Sequence, residues 1–143
     1  MPASNLPSAI YLRDYVPPDF LISDVELDVD LFEDHVLVRT TLQIHRNPAT
    51  SARCDTLRLD VEDLTLEAVA VNGVSLPEGD YSIDQRHLTI FSVPSVFRLD
   101  TLCRIHPRQN TKLMGLYTSS TGFFTLCEAE GFAVSRHSWI GRM

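Results

Sequence analysis

Apolar and polar side chains alternate along most of this chain with a period of two residues, and helical spacing is nearly absent. Residues 24–31 show the pattern most clearly, because their apolar and acidic members take strictly alternate positions. The apolar positions are Val25, Leu27, Val29 and Leu31, and the acidic ones are Asp24, Glu26, Asp28 and Asp30. This alternation predicts a half-buried strand with one solvated face. We therefore interpret the acidic row as solubilising and not as catalytic.

A second strand is predicted for residues 35–45, directly after a short turn at residues 32–34. The residues on its inward side are Val36, Val38, Thr40, Leu42 and Ile44. His35 and His45 fall on the opposite, wetter face. Because a short turn joins strands that run in opposite directions, we expect the two strands to form an antiparallel hairpin.

Five more segments with the same alternation follow, bounded by turn residues. They are residues 57–61, 64–71, 81–83, 87–91 and 97–105. Asn72-Gly73 ends the second of them and favours a type I′ turn, because both residues tolerate positive φ. The short connections leave no room for parallel crossovers. The sequence thus predicts seven strands in an all-β, antiparallel-rich sandwich or open, curved sheet.

Composition narrows the classes of partner. The 143 residues are 44% hydrophobic and 22% charged, which is typical of one globular domain. Twelve Lys and Arg against nineteen Asp and Glu give a net charge of −7, so no nucleic-acid partner is expected. No apolar run is long enough for a signal peptide or a membrane span, so we expect a cytoplasmic protein without a membrane partner.

The residue types that usually carry chemistry form no recognisable site. Cys54, Cys103 and Cys127 include no C-x-x-C pair and have no His at metal-ligand spacing, so we predict reduced thiols that pack, and no metal site. The motifs H-E-x-x-H, G-x-S-x-G, G-x-x-x-x-G-K-S/T and G-x-G-x-x-G are all absent from the sequence. Taken alone, these residues predict no catalytic group.

Residues 110–132 carry a more specific signal. They contain G-L-Y at residues 115–117, a Thr/Ser/Gly turn, and then T-L-C-E-A-E-G-F at residues 125–132. This run resembles the zinc-dependent aminopeptidase N family, and in particular the bacterial alanyl aminopeptidases. Two earlier stretches agree: residues 11–20 resemble the family's R-x-D-Y-x-x-P-D-Y/F leader, and residues 57–64 resemble its L-x-L-x-G-E-D-L.

The resemblance covers residues 11–132 and implies a fold and an activity. It implies that residues 1–132 form the saddle-like amino-terminal β domain of an enzyme that removes N-terminal amino acids from peptides. The family's zinc is held by H-E-x-x-H and a later Glu on a catalytic domain, so we expect no cofactor in this chain. We accordingly expect the chain to be inactive alone.

The resemblance also implies two substrate-binding residues. Glu128 matches the family Glu that binds the free α-amino group of the peptide substrate. Leu126 stands where family members commonly carry a Gln that faces the first substrate side chain. Glu130 receives no role.

Residues 133–143 do not continue the family pattern. One choice of synonymous codons, shifted by a nucleotide, gives R-R-I-T-P-L-L-D-R-P-D, which does continue it. Our hypothesis is a frameshift that truncates the chain before its catalytic domain. Such a chain would expose the surface that meets the catalytic domain, so we expect self-association through that surface or through an edge strand. The alternative is a stand-alone β-sandwich binding or interaction module without catalysis.

Overall fold

Ten β-strands dominate the part of the chain that the structure describes. The structure, a computed structural model, describes residues 11–50 and 54–126. The strands are β1 (Phe20–Leu31), β2 (Val36–Arg46), β3 (Leu57–Asp60), β4 (Thr65–Val71), β5 (Val74–Ser75), β6 (Tyr81–Ile83), β7 (His87–Ile90), β8 (Val96–Ile105), β9 (Gly115–Ser119) and β10 (Gly122–Leu126). Two 3₁₀ turns accompany them, Leu12–Asp14 and Pro107–Gln109. The all-β prediction is confirmed.

Every ladder is antiparallel, and the strands form three sheets. The largest has the order β1-β2-β8-β4-β5, the second β3-β7-β6, and the third pairs β9 with β10. β1 and β2 form the predicted hairpin, and β2 pairs with β8 without a register break from Val36↔Ile105 to His45↔Val96.

The main hydrophobic core lies between the five-stranded and three-stranded sheets. Period-two alternation sends the inward residues of β2, β8, β3 and β7 into it. Its buried members are Phe20, Leu42, Ile44, Leu57, Leu59, Val61, Val69, Leu88, Ile90, Val93, Phe97, Leu99 and Cys103. Each fully buried aliphatic side chain of this kind contributes about 1.5–3 kcal/mol to the free energy of unfolding.

A smaller hydrophobic cluster occupies the other end of the same sheet face. It consists of Val36, Val38, Ile105 and Leu116. Thr40 and Thr101 pair across β2 and β8 between the two clusters, and both are buried. Among the described residues, Oγ1 of Thr101 has no hydrogen-bond partner. The inward face therefore carries a buried polar pair, beyond which Cys103 of the main core lies opposite Val38 of the smaller cluster.

The Asn72-Gly73 turn has the predicted geometry. Asn72 has φ 52° and Gly73 has φ 79°, and the chain returns as β5 beside β4. The Asn72 side-chain oxygen also accepts a hydrogen bond of 2.9 Å from the backbone N–H of Arg98, which ties the turn to β8. Positive φ at consecutive residues is the type I′ requirement that favours Asn-Gly.

The predicted burial of β1 is wrong in part. Val25 is 51% exposed and Leu31 is 53% exposed, and only Leu27 and Val29 of that row pack against the smaller cluster. The reason is position: β1 is the edge of its sheet and pairs only with β2. Little of the second layer reaches it. Three strands were also not predicted, namely β5, β9 and β10.

We predict that Leu99→Ala lowers the free energy of unfolding by about 2–5 kcal/mol, because it opens a cavity in the main core. Leu99 lies on the central strand β8 and is fully buried. Urea unfolding measures the change. The control is Val74→Ala, at a position that is 68% exposed, with an expected change within about 0.5 kcal/mol. Equal midpoints for the two variants would contradict this account of the core.

Candidate functional site

The β9–β10 hairpin is the described element that leads into the predicted amine-binding segment. β9 and β10 pair from Gly115↔Leu126 to Ser119↔Gly122, so a two-residue turn joins them. Leu126 ends β10 opposite Gly115 and is 40% exposed. Glu128 follows two residues later in the sequence and, with Cys127, Glu130 and residues 133–143, lies outside the described residues.

One side of this hairpin is anchored in the smaller hydrophobic cluster. Leu116 is only 6% exposed and packs with Val36, Val38 and Ile105. It therefore fixes β9 to the ends of the two central strands. The hairpin's placement follows from the length and register of β2 and β8.

Asn110 fixes the chain just before the hairpin through hydrogen bonds to the backbone. Its side-chain amide donates hydrogen bonds to the carbonyl oxygens of Met114, at 2.7 Å, and Leu116, at 2.9 Å. The chain between them reverses sharply, with positive φ at Leu113 (55°) and Gly115 (69°). The Asn110 amide thus binds two backbone carbonyls, one within the reversal and one in β9.

The loop between β3 and β4 contacts the residues just before the β9–β10 hairpin. Nζ of Lys112 lies 2.6 Å from Oε1 of Glu62 and 3.1 Å from Oδ2 of Asp63. The hydrogen bond to Glu62, followed by that to Asp63, raises the pKa of Lys112. The pair is solvent-exposed, so it orients the chain more than it stabilises it. Leu64 of the same loop packs against both hydrophobic clusters.

The stretch that resembles the family's E-D-L, residues 62–64, therefore has a structural role. Glu62 and Asp63 contact Lys112, and Leu64 joins the two clusters. A cleft of about 370 Å³ lies between this loop and the residues before the hairpin. Arg104 and Lys112, which line it, both have ion-pair partners.

The other side of the hairpin is apolar, and the described part of the chain leaves it partly exposed. The Tyr117 and Phe124 rings stack with their centroids 5.9 Å apart, and Phe124 is 42% exposed. Leu126 is two residues from Phe124 on the same strand and shares its face. We call Tyr117, Phe124 and Leu126 the hairpin face. Every residue of β10 is exposed.

The described residues do not fit a zinc site. Residues 11–50 and 54–126 contain no group of three or more His, Cys, Asp and Glu side chains that could hold a metal ion. Cys54 and Cys103 are free thiols, as predicted, and burial raises the pKa of Cys103 to about 12. At neutral pH its reactive thiolate form is negligible, so Cys103 is a packing residue.

No helix within the described ranges is long and apolar enough to cross a membrane.

Comparison with known proteins identifies the family to which this chain belongs. No family model matches the chain. Aminopeptidase N of Caulobacter vibrioides is 39% identical over 129 residues, which is 90% of this chain. Aminopeptidase N of Escherichia coli is 38% identical over 126 residues, or 88% of this chain. The chain corresponds to the amino-terminal region of the aminopeptidase N family. It spans 15% of the Caulobacter relative and 14% of the Escherichia coli one.

Solved structures agree with this aminopeptidase N assignment. Legionella pneumophila aminopeptidase A, in complex with aspartic acid, matches 90% of this chain and 15% of its own with a TM-score of 0.81 and 27% identity. An M1 zinc metallopeptidase from Deinococcus radiodurans matches 87% of this chain and 29% of its own with a TM-score of 0.65. At 14% identity, the second likeness shows the fold alone.

Sequence reasoning found the aminopeptidase N run but missed the residues that hold it in place. Asn110 opened the matching run and received no role, and Leu116 was part of the G-L-Y motif only. A signal was present for Asn110, because an Asn shortly before a Gly-containing reversal often bonds the backbone locally. The neighbours of Leu116, Gly115 and Tyr117, give no comparable signal.

We predict that Asn110→Ala lowers the free energy of local opening of the β9–β10 hairpin by about 1–3 kcal/mol, because the two hydrogen bonds from the Asn110 amide are lost. Amide hydrogen exchange of β9 and β10 measures it. The matched control is the exposed neighbour Thr111→Ala, for which we expect unchanged protection. Equal exchange rates in both variants would show that Asn110 does not hold the hairpin.

Proposed function

We propose that this chain forms the amine-binding part of the peptide site of a zinc aminopeptidase. Glu128 would bind the free α-ammonium group of the substrate's first residue, and zinc and the reacting groups would come from a catalytic domain. The observation that carries the proposal is the aminopeptidase N match across 90% of the chain. The anchored β9–β10 hairpin supports it, because it supplies a fixed base two residues before Glu128.

A carboxylate suits the amine of a peptide because both groups are charged at neutral pH. A hydrogen bond between an ammonium group and a carboxylate is about twice as strong as one between neutral partners. An acylated amine has no charge and only one N–H donor, so a peptide with a blocked N-terminus would bind weakly. Specificity for free N-termini would then reside in this domain.

Leu126 would contact the first side chain of the substrate. Where the family commonly has a Gln, this chain offers an apolar and partly exposed side chain. Such a contact favours apolar first residues over polar ones, since it offers no hydrogen bond.

The chain alone would be inactive, because its sequence has no H-E-x-x-H motif to bind zinc. Zinc would be a cofactor of the longer enzyme only. A cytoplasmic location and the lack of nucleic-acid and membrane partners stay predictions from composition.

The hairpin face would be the surface that meets the rest of the enzyme, and in its absence a second copy of the chain. β10 has the sequence Gly-Phe-Phe-Thr-Leu, which is uncharged, rich in strand-forming residues and exposed throughout. An exposed strand of this composition tends to pair with another chain. The long edge strand β1 is a poor site for self-pairing, because its acidic row would meet itself.

We predict that purified chain with added zinc hydrolyses an aminoacyl reporter no faster than buffer does. The positive arm is a chimera in which residues 1–132 replace the matching region of the Caulobacter relative. In that active chimera, Glu128→Gln should lower kcat/KM about 10- to 100-fold, since one charge-assisted bond is lost.

Glu130→Gln is the matched control for that arm, because it removes the same charge two residues away. We expect it to keep kcat/KM within about twofold. An inactive chimera, or equal losses in the two variants, would rule out the proposed role of Glu128. Turnover by the chain alone would rule out its dependence on a catalytic domain.

We predict that the chain self-associates and that Phe124→Lys abolishes this, because it places a charge on the hairpin face. Sedimentation velocity across a concentration series measures it. Val74→Lys, at an exposed position on β5, is the control and should leave self-association unchanged. A wild-type monomer at all concentrations would refute the prediction.

A further inference from the structure

The outer edge of β1 is the longest unpaired strand edge among the described residues. β1 has twelve residues and pairs only with β2. A bulge interrupts the ladder between Ile22 and Asp24, after which the register runs unbroken from Asp24 to Leu31. Residues 20–31 contain neither Pro nor Lys, the residues that commonly block a strand edge. The backbone of residues 24–31 is therefore geometrically suited to accept another strand.

Charge on the outward face of β1 is only half neutralised. Arg39 lies 2.6 Å from Asp30 and 3.3 Å from Asp28. Asp24 and Glu26 face the uncharged Gln43 and Thr41 across the ladder. Among the described residues, no ion pair involving Asp24 or Glu26 is present. The first half of the unbroken edge is therefore negative.

The inward face of β1 exposes apolar side chains. Val25 is 51% exposed and Leu31 is 53% exposed, although both point to the side of the sheet that holds the core. A strand added at this edge would place its inward side chains next to them. Apolar residues at those positions would remove exposed apolar surface from water.

We propose that the outer edge of β1, at residues 24–31, binds an extended segment whose residues alternate between basic and apolar. The segment would continue the sheet beyond β1, with its basic side chains beside Asp24 and Glu26 and its apolar ones beside Val25 and Leu31. Main-chain hydrogen bonds supply affinity in this mode of recognition, and the alternating side chains supply specificity.

Charge complementarity selects this occupant over a second copy of the chain. Two β1 edges joined to each other would bring acidic residues onto one face, and like charges directly opposite are unfavourable. A basic segment reverses the sign of each of these pairs. Charge thus disfavours pairing of β1 with β1 of a second copy and favours pairing with a basic segment.

The test is an NMR titration of the intact chain with the peptide Ac-KVKLKVK-NH₂. We expect shift changes and slowed amide exchange along β1, and none along β6, which is an edge of the other sheet. Binding should weaken as salt is raised, because part of it is electrostatic. The acidic peptide Ac-EVELEVE-NH₂ should not bind. Equal effects of both peptides, or none on β1, would overturn the proposal.

Two methylated peptides separate strand pairing from simple charge attraction. One carries N-methyl groups on the Lys amides and the other on the Val and Leu amides, so their charge is equal. Alternate residues of a strand direct their N–H groups to opposite edges, and one of the two peptides must therefore lose its bonds to β1. We expect one to bind like the parent and the other at least tenfold more weakly. Equal binding of both would overturn the proposal.

Protein variants complete the test. Asp24→Lys with Glu26→Lys should weaken binding of the basic peptide about tenfold or more, since two attractive pairs become repulsive. The control is Glu78→Lys with Asp80→Lys, which makes the same change in net charge at exposed positions away from β1. Equal weakening by both pairs would reduce the effect to net charge and refute a site on β1. Urea unfolding confirms that each variant is folded.

Discussion

The pairing of β2 with β8 is the constraint on which the rest of the structure depends. Ten consecutive register pairs join these strands without a bulge, from Val36↔Ile105 to His45↔Val96. A shift of one residue would turn every inward side chain outward, so the alternation of both strands must agree. That agreement aligns Leu42 with Leu99 in the main core and Val38 with Cys103 towards the smaller cluster. The other strands take their positions from this pair.

The β9–β10 hairpin is held from three directions. Leu116 ties it to the ends of the central strands, Asn110 fixes the reversal before it, and Lys112 connects it to the β3–β4 loop. None of these contacts involves Leu126. A residue at the exposed end of such an element can change while its support stays the same, so the fold does not constrain the identity of Leu126.

Much of the fold was predictable from sequence because its signals are local. The period-two pattern located all seven of the expected strands, and Asn72-Gly73 specified its turn. What the pattern could not show is whether a second layer covers a given face. Val25 and Leu31 alternate as well as Leu42 does, yet they lie at a sheet edge. Burial of that kind depends on strand order, which is set by contacts between residues far apart in sequence.

The site was predictable to a smaller extent. The motif around residues 125–132 identified the family, but motifs contain no information on the supports of a hairpin. β9 and β10 were not predicted as strands, because Gly115 and Gly122 interrupt the apolar pattern and a Thr/Ser turn is weaker than Asn-Gly. Asn110 acts through its side-chain amide on backbone carbonyls nearby. Such bonds depend on the exact path of the chain, here on positive φ at Leu113 and Gly115.

Thr40 and Thr101 lie between most of the main core and the smaller cluster, while Cys103 of the main core lies beyond them, opposite Val38. The two clusters are joined through β2 and β8. The side chain of Leu64 also packs against both. The smaller cluster has few buried members, so thermal fluctuations would disrupt it before the larger one. The end of the domain that carries the β9–β10 hairpin would therefore loosen while the far end stays folded, so the two ends are mechanically decoupled.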